Sequence, residues 1–419
     1  MKRAVNRKAV LLIIVCSFVY FTAYFIRKSL AITLVNIVEH TSLTTDQLGL
    51  ALTGHFIAYG VMQIVSGLIG DRVNPKYLIF GALISSALLN LGIFFTTNPW
   101  VIFVLWLLNG VVQAFIWPPL VRFCLYNLKT KEYEGGIGFV TGGGYFGQCA
   151  LCVVSALFCK YCGYRYLFLF ACIFGLLVSA VWFIYSLKFN EYKHADSEKT
   201  NQETASKTKI IQVLLGFVMI FVLLSIVMQG ALRDGLESWT PTFITKSFSL
   251  NSEDAIFSAM VLPLFGFTAI QLSSLIYKKK IHNPILLTII LLSICFTFVL
   301  LLNIFKNSNV WLVLTFVTMS YAFVAAGNFV LTSIMPSYFK KTGNVSTIAG
   351  VLNATVYLGS ALSGYGFSAL TTLYGWDLGI IIWLGVSVLA VVFLVIIFRK
   401  WNNTYQKENL EEEGEANEI

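Results

Sequence analysis

Arg27 and Lys28 sit between the apolar runs Leu11–Ile26 and Ser29–Val38, and Arg233 interrupts the apolar stretch that opens the second half of the chain. An ionisable side chain at membrane depth costs roughly 2.5–3.5 kcal/mol on insertion scales, so such a residue is usually kept for a job. A guanidinium presents a planar fork of donors that matches phosphate oxygens. Two arginines at corresponding places in two halves therefore predict a shared anion. The bland alternative is an arginine that snorkels or sits in a salt bridge, and Asp234 and Glu237 stand beside Arg233 as structural partners. Lys28 is a weaker candidate, because neighbouring positions on a helix point to different faces.

Other side chains extend the pattern. Tyr20, Tyr24 and Arg27 fall at i, i+4 and i+7, one stripe of one helix. A tyrosine gives an apolar wall with a hydroxyl, suited to a phosphate-bearing organic solute, although a lone tyrosine is as often packing. Gln113, with Asn109 and Trp117 one turn to either side, reads as a polar wall of a fourth span. His55, one turn from Tyr59, is the sole histidine inside an apolar span. It is either a titratable group near the anion or a neutral, hydrogen-bonded helix histidine.

Helices through a bilayer must position these residues. The 419-residue chain is 57% hydrophobic and 12% charged, with a mean hydropathy of +0.78, which excludes an ordinary soluble protein. Hydropathy predicts twelve spans, at 10–38, 46–70, 77–96, 99–126, 136–158, 165–187, 210–236, 253–277, 284–305, 309–335, 344–370 and 376–398. The expected architecture is all-α, with an N-terminal six-helix bundle over 1–187, a polar cytoplasmic linker over 188–209, a C-terminal bundle over 210–400 and a disordered acidic tail over 401–419. The basic N-terminus followed by a long apolar run is read as a retained first span, because the run outlasts a signal peptide's core. Of the 29 lysines and arginines, twenty-one fall in segments this map places inside and four (Lys160, Arg165, Lys246, Lys306) outside, which predicts both termini in the cytoplasm.

That topology accounts for the net charge of +9 without nucleic acid as a partner. Cys149/Cys152 and Cys159/Cys162 have CxxC spacing, but no further ligands are placed to complete a zinc site, and small apolar fillers are the expected role. Cys159 and Cys162, near a predicted outer end, could be oxidised. Gly142–Gly144 lacks the strand and lysine of a nucleotide loop and reads as close helix packing. No catalytic constellation, metal site or cofactor is expected, and transport energy would come from a gradient. Six spans plus six also suggest duplication, with a site near mid-membrane between the halves.

Between spans two and three stands Gly67-Leu-Ile-Gly70-Asp71-Arg72-Val-Asn-Pro75-Lys76. It resembles the loop 2–3 motif of the major facilitator superfamily, which implies a gating role for Gly67, Asp71 and Arg72, with the Asp/Arg pair latching the inner ends of a bundle. Within that superfamily, Tyr20-Phe-Thr-Ala-Tyr24-Phe-Ile-Arg27-Lys28 looks like the first helix of the organophosphate:phosphate antiporters. The likeness continues through Asp46-Gln-Leu-Gly49, Tyr59-Gly60, Trp117-Pro118-Pro119, Lys131-Glu132, Gly135-Gly136, Arg233-Asp-Gly-Leu, Trp239-Thr-Pro241, Tyr357-Leu-Gly359 and Gly375-Trp376-Asp377. The resemblance implies that Arg27 and Arg233 grip a phosphoryl group from opposite halves, and that Tyr59 and Tyr357 line the pocket. Where the family's glycerol-phosphate members carry a lysine, a histidine, an acidic residue and a tyrosine, this chain has Gln63, Tyr145, Pro263 and Ala326.

The resulting expectation is a monomer in the inner or plasma membrane that takes up an organic phosphate ester, such as a hexose phosphate or glycerol-3-phosphate, against inorganic phosphate. Two arginines would nearly neutralise a dianion, and an empty site with two uncompensated charges would disfavour unloaded reorientation. A hexose-phosphate sensor of the same fold and a proton-coupled carrier of another organic anion, with His55 or Asp234 titrating, remain alternatives.

Overall fold

A computed structural model describes residues 7–189, 214, 216–248 and 252–406. All of the regular structure there is helical. The elements are α1 (Arg7–His40), α2 (Thr45–Gly70), α3 (Pro75–Phe95), α4 (Pro99–Gln113), α5 (Trp117–Asn127), α6 (Thr130–Tyr161), α7 (Tyr164–Ser186), α8 (Phe217–Phe248), α9 (Ser252–Lys279), α10 (Pro284–Phe305), α11 (Val310–Phe329), α12 (Val345–Tyr374) and α13 (Trp376–Trp401). Among the described residues, twelve segments are long and apolar enough to cross a membrane, α4 and α5 together forming one of them. Residues 407–419 of the expected tail and nearly all of the expected linker lie outside the described residues, while 401–406, expected as disordered tail, continue the last helix, Trp401 ending α13 and Asn402–Gln406 forming a π-turn.

Local sequence explains where helices start. Asn74, Asn98 and Asn283 each cap a first turn through the side-chain oxygen, and each is followed by proline at the first helical position, where no N–H is needed. Thr44 and Gln47 form a capping box at the head of α2. Gly163 (φ 95°) and Gly375 (φ 82°) turn the chain into α7 and α13 through backbone conformations that a side chain would strain.

Two spans depart from continuous helix. Residues 114–116 break the predicted span 99–126, because Pro118 and Pro119 lack the N–H groups that would bond back across that turn. The predicted span 309–335 instead runs from Val310 to Lys340. It loosens into a π-turn at Val330–Ile334 and tightens into a 3-10 segment at Met335–Thr342, around Pro336.

The described chain divides into two compact units, one of residues up to 200 with Gly343–Ala354, the other of 201–342 with 355–419. In the first, α1 packs along α6, α2 along α4 and α3 along α7. Small residues allow this approach: a Cβ on Gly143 or Gly147 would run into the backbone carbonyls of Ser17 and Phe21, and one on Gly110 into that of His55. In the second unit α8 packs on α13 and α11, and Gly230 and Gly359 meet the backbones of Val356 and Val227. Helix α2 shows how the sequence divides inside from outside. Ile57, Val61, Ile64 and Leu68 are exposed, whereas His55, Tyr59 and Gln63 are buried, the arrangement expected when the surrounding solvent is lipid.

Candidate anion-binding site

In the first unit, α1 carries Tyr20, Tyr24 and Arg27 on one stripe. The Arg27 guanidinium carbon lies 3.8 Å from the centroid of the Tyr24 ring and 4.8 Å from that of Tyr59 on α2. The residue is only 7% exposed. A desolvated cation over aromatic rings gains about 2 kcal/mol, which offsets part of the cost of burying the charge. Stacking engages the face of the guanidinium, whose in-plane fork of donors is matched to oxygen ligands. Tyr20 packs at 5.0 Å from Tyr24 and 4.6 Å from Trp117 on α5. The rings need the glycine opposite them, since a Cβ on Gly144 would stand 2.7 Å from Tyr24. Tyr145, next on α6, is half-buried.

The helix bearing Arg27 is fixed by a buried polar network. Asn90 of α3 donates to the Ile26 carbonyl at 3.0 Å and accepts from Ser29 at 2.8 Å. Ser86 donates to Asn109 at 2.6 Å, and Gln113 donates to Ser86 at 2.8 Å. The structure thus commits the amide nitrogen of Gln113 to α3. Asn90 and Ser86 were missed in the sequence, where the signal was a polar residue inside an apolar span.

Lys28 goes elsewhere than Arg27, its ammonium 5.7 Å from the Phe56 ring. His55 is 3% exposed, and because the Trp106 carbonyl can only accept, its Nδ1 donates across 3.1 Å. Its ring is nearly parallel to that of Tyr59, with centroids 6.2 Å apart. The structure thus gives His55 a hydrogen bond to a neighbouring helix. Gln63, one turn beyond Tyr59, is fully buried, and neither of its amide atoms has a hydrogen-bond partner among the described residues. An unsatisfied buried amide costs about 1–3 kcal/mol per group, which marks it as a place for an arriving polar partner.

In the second unit, Arg233 Nε meets Asp234 Oδ1 at 2.6 Å, and Nη1 donates to Asn328 Oδ1 at 3.0 Å. The Ser360 hydroxyl of α12 donates to the second Asp234 oxygen. Glu237 instead accepts from Tyr321 at 3.4 Å. Tyr357, three residues before Ser360, is half-buried. The expectation of an uncompensated charge is thus corrected for Arg233, which has a carboxylate at ion-pair distance.

At the end of α2, Asp71 departs from the expected Asp/Arg latch in its recorded partners. Its two oxygens accept the backbone N–H groups of Ser346 and Thr347, each at 2.8 Å, and so cap the first turn of α12. A Cβ on Gly67 would stand 2.8 Å from that same backbone. The arginine that reaches this turn is Arg122, donating to the Gly70 carbonyl at 2.5 Å, while Arg72 is exposed. Burial pushes the Asp71 carboxyl up to about 6, against the opposing pull of the Thr347 and Ser346 hydrogen bonds and the Arg122 charge.

This helical fold, with twelve segments apolar enough to cross a membrane and an arginine inside one such segment in each unit, defines a class of multi-pass membrane proteins. The sequence matches the Major Facilitator Superfamily over residues 16–364, and the chain belongs to it. It is 24% identical to the glycerol-3-phosphate transporter of Bacillus subtilis, over 93% of this chain and 92% of that one. It is 22% identical to the membrane sensor protein UhpC of Salmonella typhimurium, over 85% and 84%, and 22% identical to a probable hexose phosphate transport protein of Chlamydia muridarum, over 93% and 90%. Among solved structures, the proton:xylose symporter XylE superposes with a TM-score of 0.76 at 14% identity, over 93% of this chain and 96% of that one. The transporter FucP in its outward conformation gives 0.74 at 12%, over 93% and 99%.

Proposed function

We propose that this protein takes up a small organic phosphate ester in exchange for inorganic phosphate by rocker-switch alternating access. Arg27 and Arg233 would hold the phosphoryl group, with Tyr20, Tyr24, Tyr59, Gln63, Tyr145 and Tyr357 around the organic part. The observation that carries this reading is Arg27 itself, a buried cation stacked between the rings of Tyr24 and Tyr59. Nothing in lipid-core packing calls for such a residue, and its donors match phosphoryl oxygens. The similarity to a glycerol-3-phosphate transporter and to a probable hexose phosphate transport protein supports the substrate class. Exchange with phosphate rests on the resemblance to the antiporters. On this reading the protein works in the inner or plasma membrane, and the distribution of its basic residues supports both termini in the cytoplasm.

The similarity to a membrane sensor protein supports a second reading, in which a hexose phosphate binds without being moved. Counterflow into phosphate-loaded proteoliposomes, with a panel of labelled sugar and glycerol phosphates, separates the two. The transport reading predicts labelled ester accumulating against internal phosphate. Saturable binding with no accumulation would establish the sensor instead.

A further inference from the structure

Arg233 and the residue that follows it form an unusual local pair. Side chains at i and i+1 on a helix do not face each other, yet Asp234 Oδ1 reaches Arg233 Nε at 2.6 Å. Ser360 holds the other carboxylate oxygen from α12. The pair is not sealed: its side chains keep 19% and 22% of their exposure. Beside it, Asn328 is 4% exposed and takes Arg233 Nη1 on its oxygen. The nitrogen of the same amide is buried with no hydrogen-bond partner among the described residues. A buried N–H without an acceptor is costly and points to an oxygen that comes from outside the chain.

We propose that Asp234 is the resident anion of this half-site, and that a phosphoryl group binds Arg233 by taking the place of its carboxylate. This deepens the phosphate reading above and rests on it. A carboxylate presents two oxygens in a plane much as two phosphoryl oxygens do, so one can replace the other on the same guanidinium edge. The displaced Asp234 keeps the Ser360 hydroxyl as a donor, and Asn328 Nδ2 supplies the newcomer with a second one. Every incoming anion must outcompete a tethered carboxylate. That excludes single-point anions such as chloride and selects ligands with several oxygens on one centre. Asp234 is thereby a specificity-determining residue.

The test is titration of inorganic phosphate into the purified full-length protein by calorimetry, comparing wild type with Asp234→Asn, Asp234→Glu and Glu237→Gln. Displacement predicts that Asp234→Asn binds phosphate about fivefold more tightly, the worth of a partly exposed ion pair. It also predicts that added chloride weakens phosphate binding in Asp234→Asn more than in wild type. Asp234→Glu should stay within about twofold of wild type, because it keeps the competing charge. Glu237→Gln removes an equal charge one turn away and should move the affinity by less than about twofold. Should Asp234→Asn fail to fold, Asp234→Ser carries the same expectation. Unchanged or weaker binding in the Asp234 variant would overturn the proposal and make the carboxylate a positioning group. Equal tightening in Glu237→Gln would overturn it in favour of a general field effect. A wild type that binds no phosphate overturns the phosphate reading, a result distinct from any difference among variants.

Discussion

Arg27 stands over the ring of Tyr24, one turn before it on the same helix, with its guanidinium carbon 3.8 Å from the ring centroid. The spacing of three residues puts both on one face, and Gly144 opposite leaves room for the ring. Tyr24→Phe retains the ring and should keep exchange near wild type. Tyr24→Leu removes the quadrupole that steadies the buried cation and should raise KM for the phosphate ester about threefold to tenfold. Counterflow kinetics on the two variants checks this; equal loss in both would assign the role to the hydroxyl.

The glycine contacts give a second expectation. Gly147 lies against the Phe21 carbonyl, whereas Gly49 has no neighbour within 4 Å of a built Cβ. Gly147→Leu should therefore force α6 away from α1 and cost about 1–3 kcal/mol, while Gly49→Ala should be neutral or slightly stabilising. Thermal unfolding in detergent distinguishes them. An equal Tm for both variants would contradict the packing described.

Asp71 yields a pH dependence. Its carboxyl rises from an ordinary 3.8 to about 6 in the folded protein, so between these values the folded state binds more protons than the unfolded one. The contribution of this group to stability is fully present below 3.8 and is lost as pH rises through about 6. Asp71→Asn should remove that component, giving a smaller fall in Tm between about pH 5 and pH 7 than wild type shows. A steeper fall in the variant would contradict the sign.

Asn90 is expected to matter out of proportion to its size. Its amide serves the carbonyls of Ile26 and Ser86 and the hydroxyl of Ser29. Asn90→Leu removes these bonds, leaves the Ser29 hydroxyl only its longer 3.2 Å bond to the Ile26 carbonyl, and should cost about 1–3 kcal/mol. It should also raise KM for the ester, since Ile26 precedes Arg27. Unchanged KM with lowered Tm would confine Asn90 to stability.

Much of the fold is legible in the sequence because bilayer crossing imposes long apolar runs and caps announce their starts. Asn74-Pro75, Asn98-Pro99 and Asn283-Pro284 mark three helix starts almost to the residue. The stripe Tyr20, Tyr24 and Arg27 was legible too, since helical periodicity fixes which side chains share a face. The gaps are tertiary. Hydropathy does not register the break at 114–116 or the π-turn at Val330–Ile334, because averaging over a span hides a local change in helical winding. Sequence spacing placed Asp234 and Glu237 alike beside Arg233, and only the packing of α11 and α12 decides that Asp234 takes the arginine while Glu237 takes Tyr321. Asp71 followed by Arg72 suggested an ion pair, yet the carboxylate goes to backbone amides 275 and 276 residues away.

The central claim is that Arg27 grips a phosphoryl group through two parallel donors. The direct measurement is phosphate exchange in proteoliposomes bearing wild type, Arg27→Lys and Arg27→Ala at equal protein density. A lysine keeps the charge but offers a single point in place of the fork. Arg27→Lys should lose at least about tenfold in exchange rate and Arg27→Ala should be inactive. Full exchange by Arg27→Lys would contradict the claim.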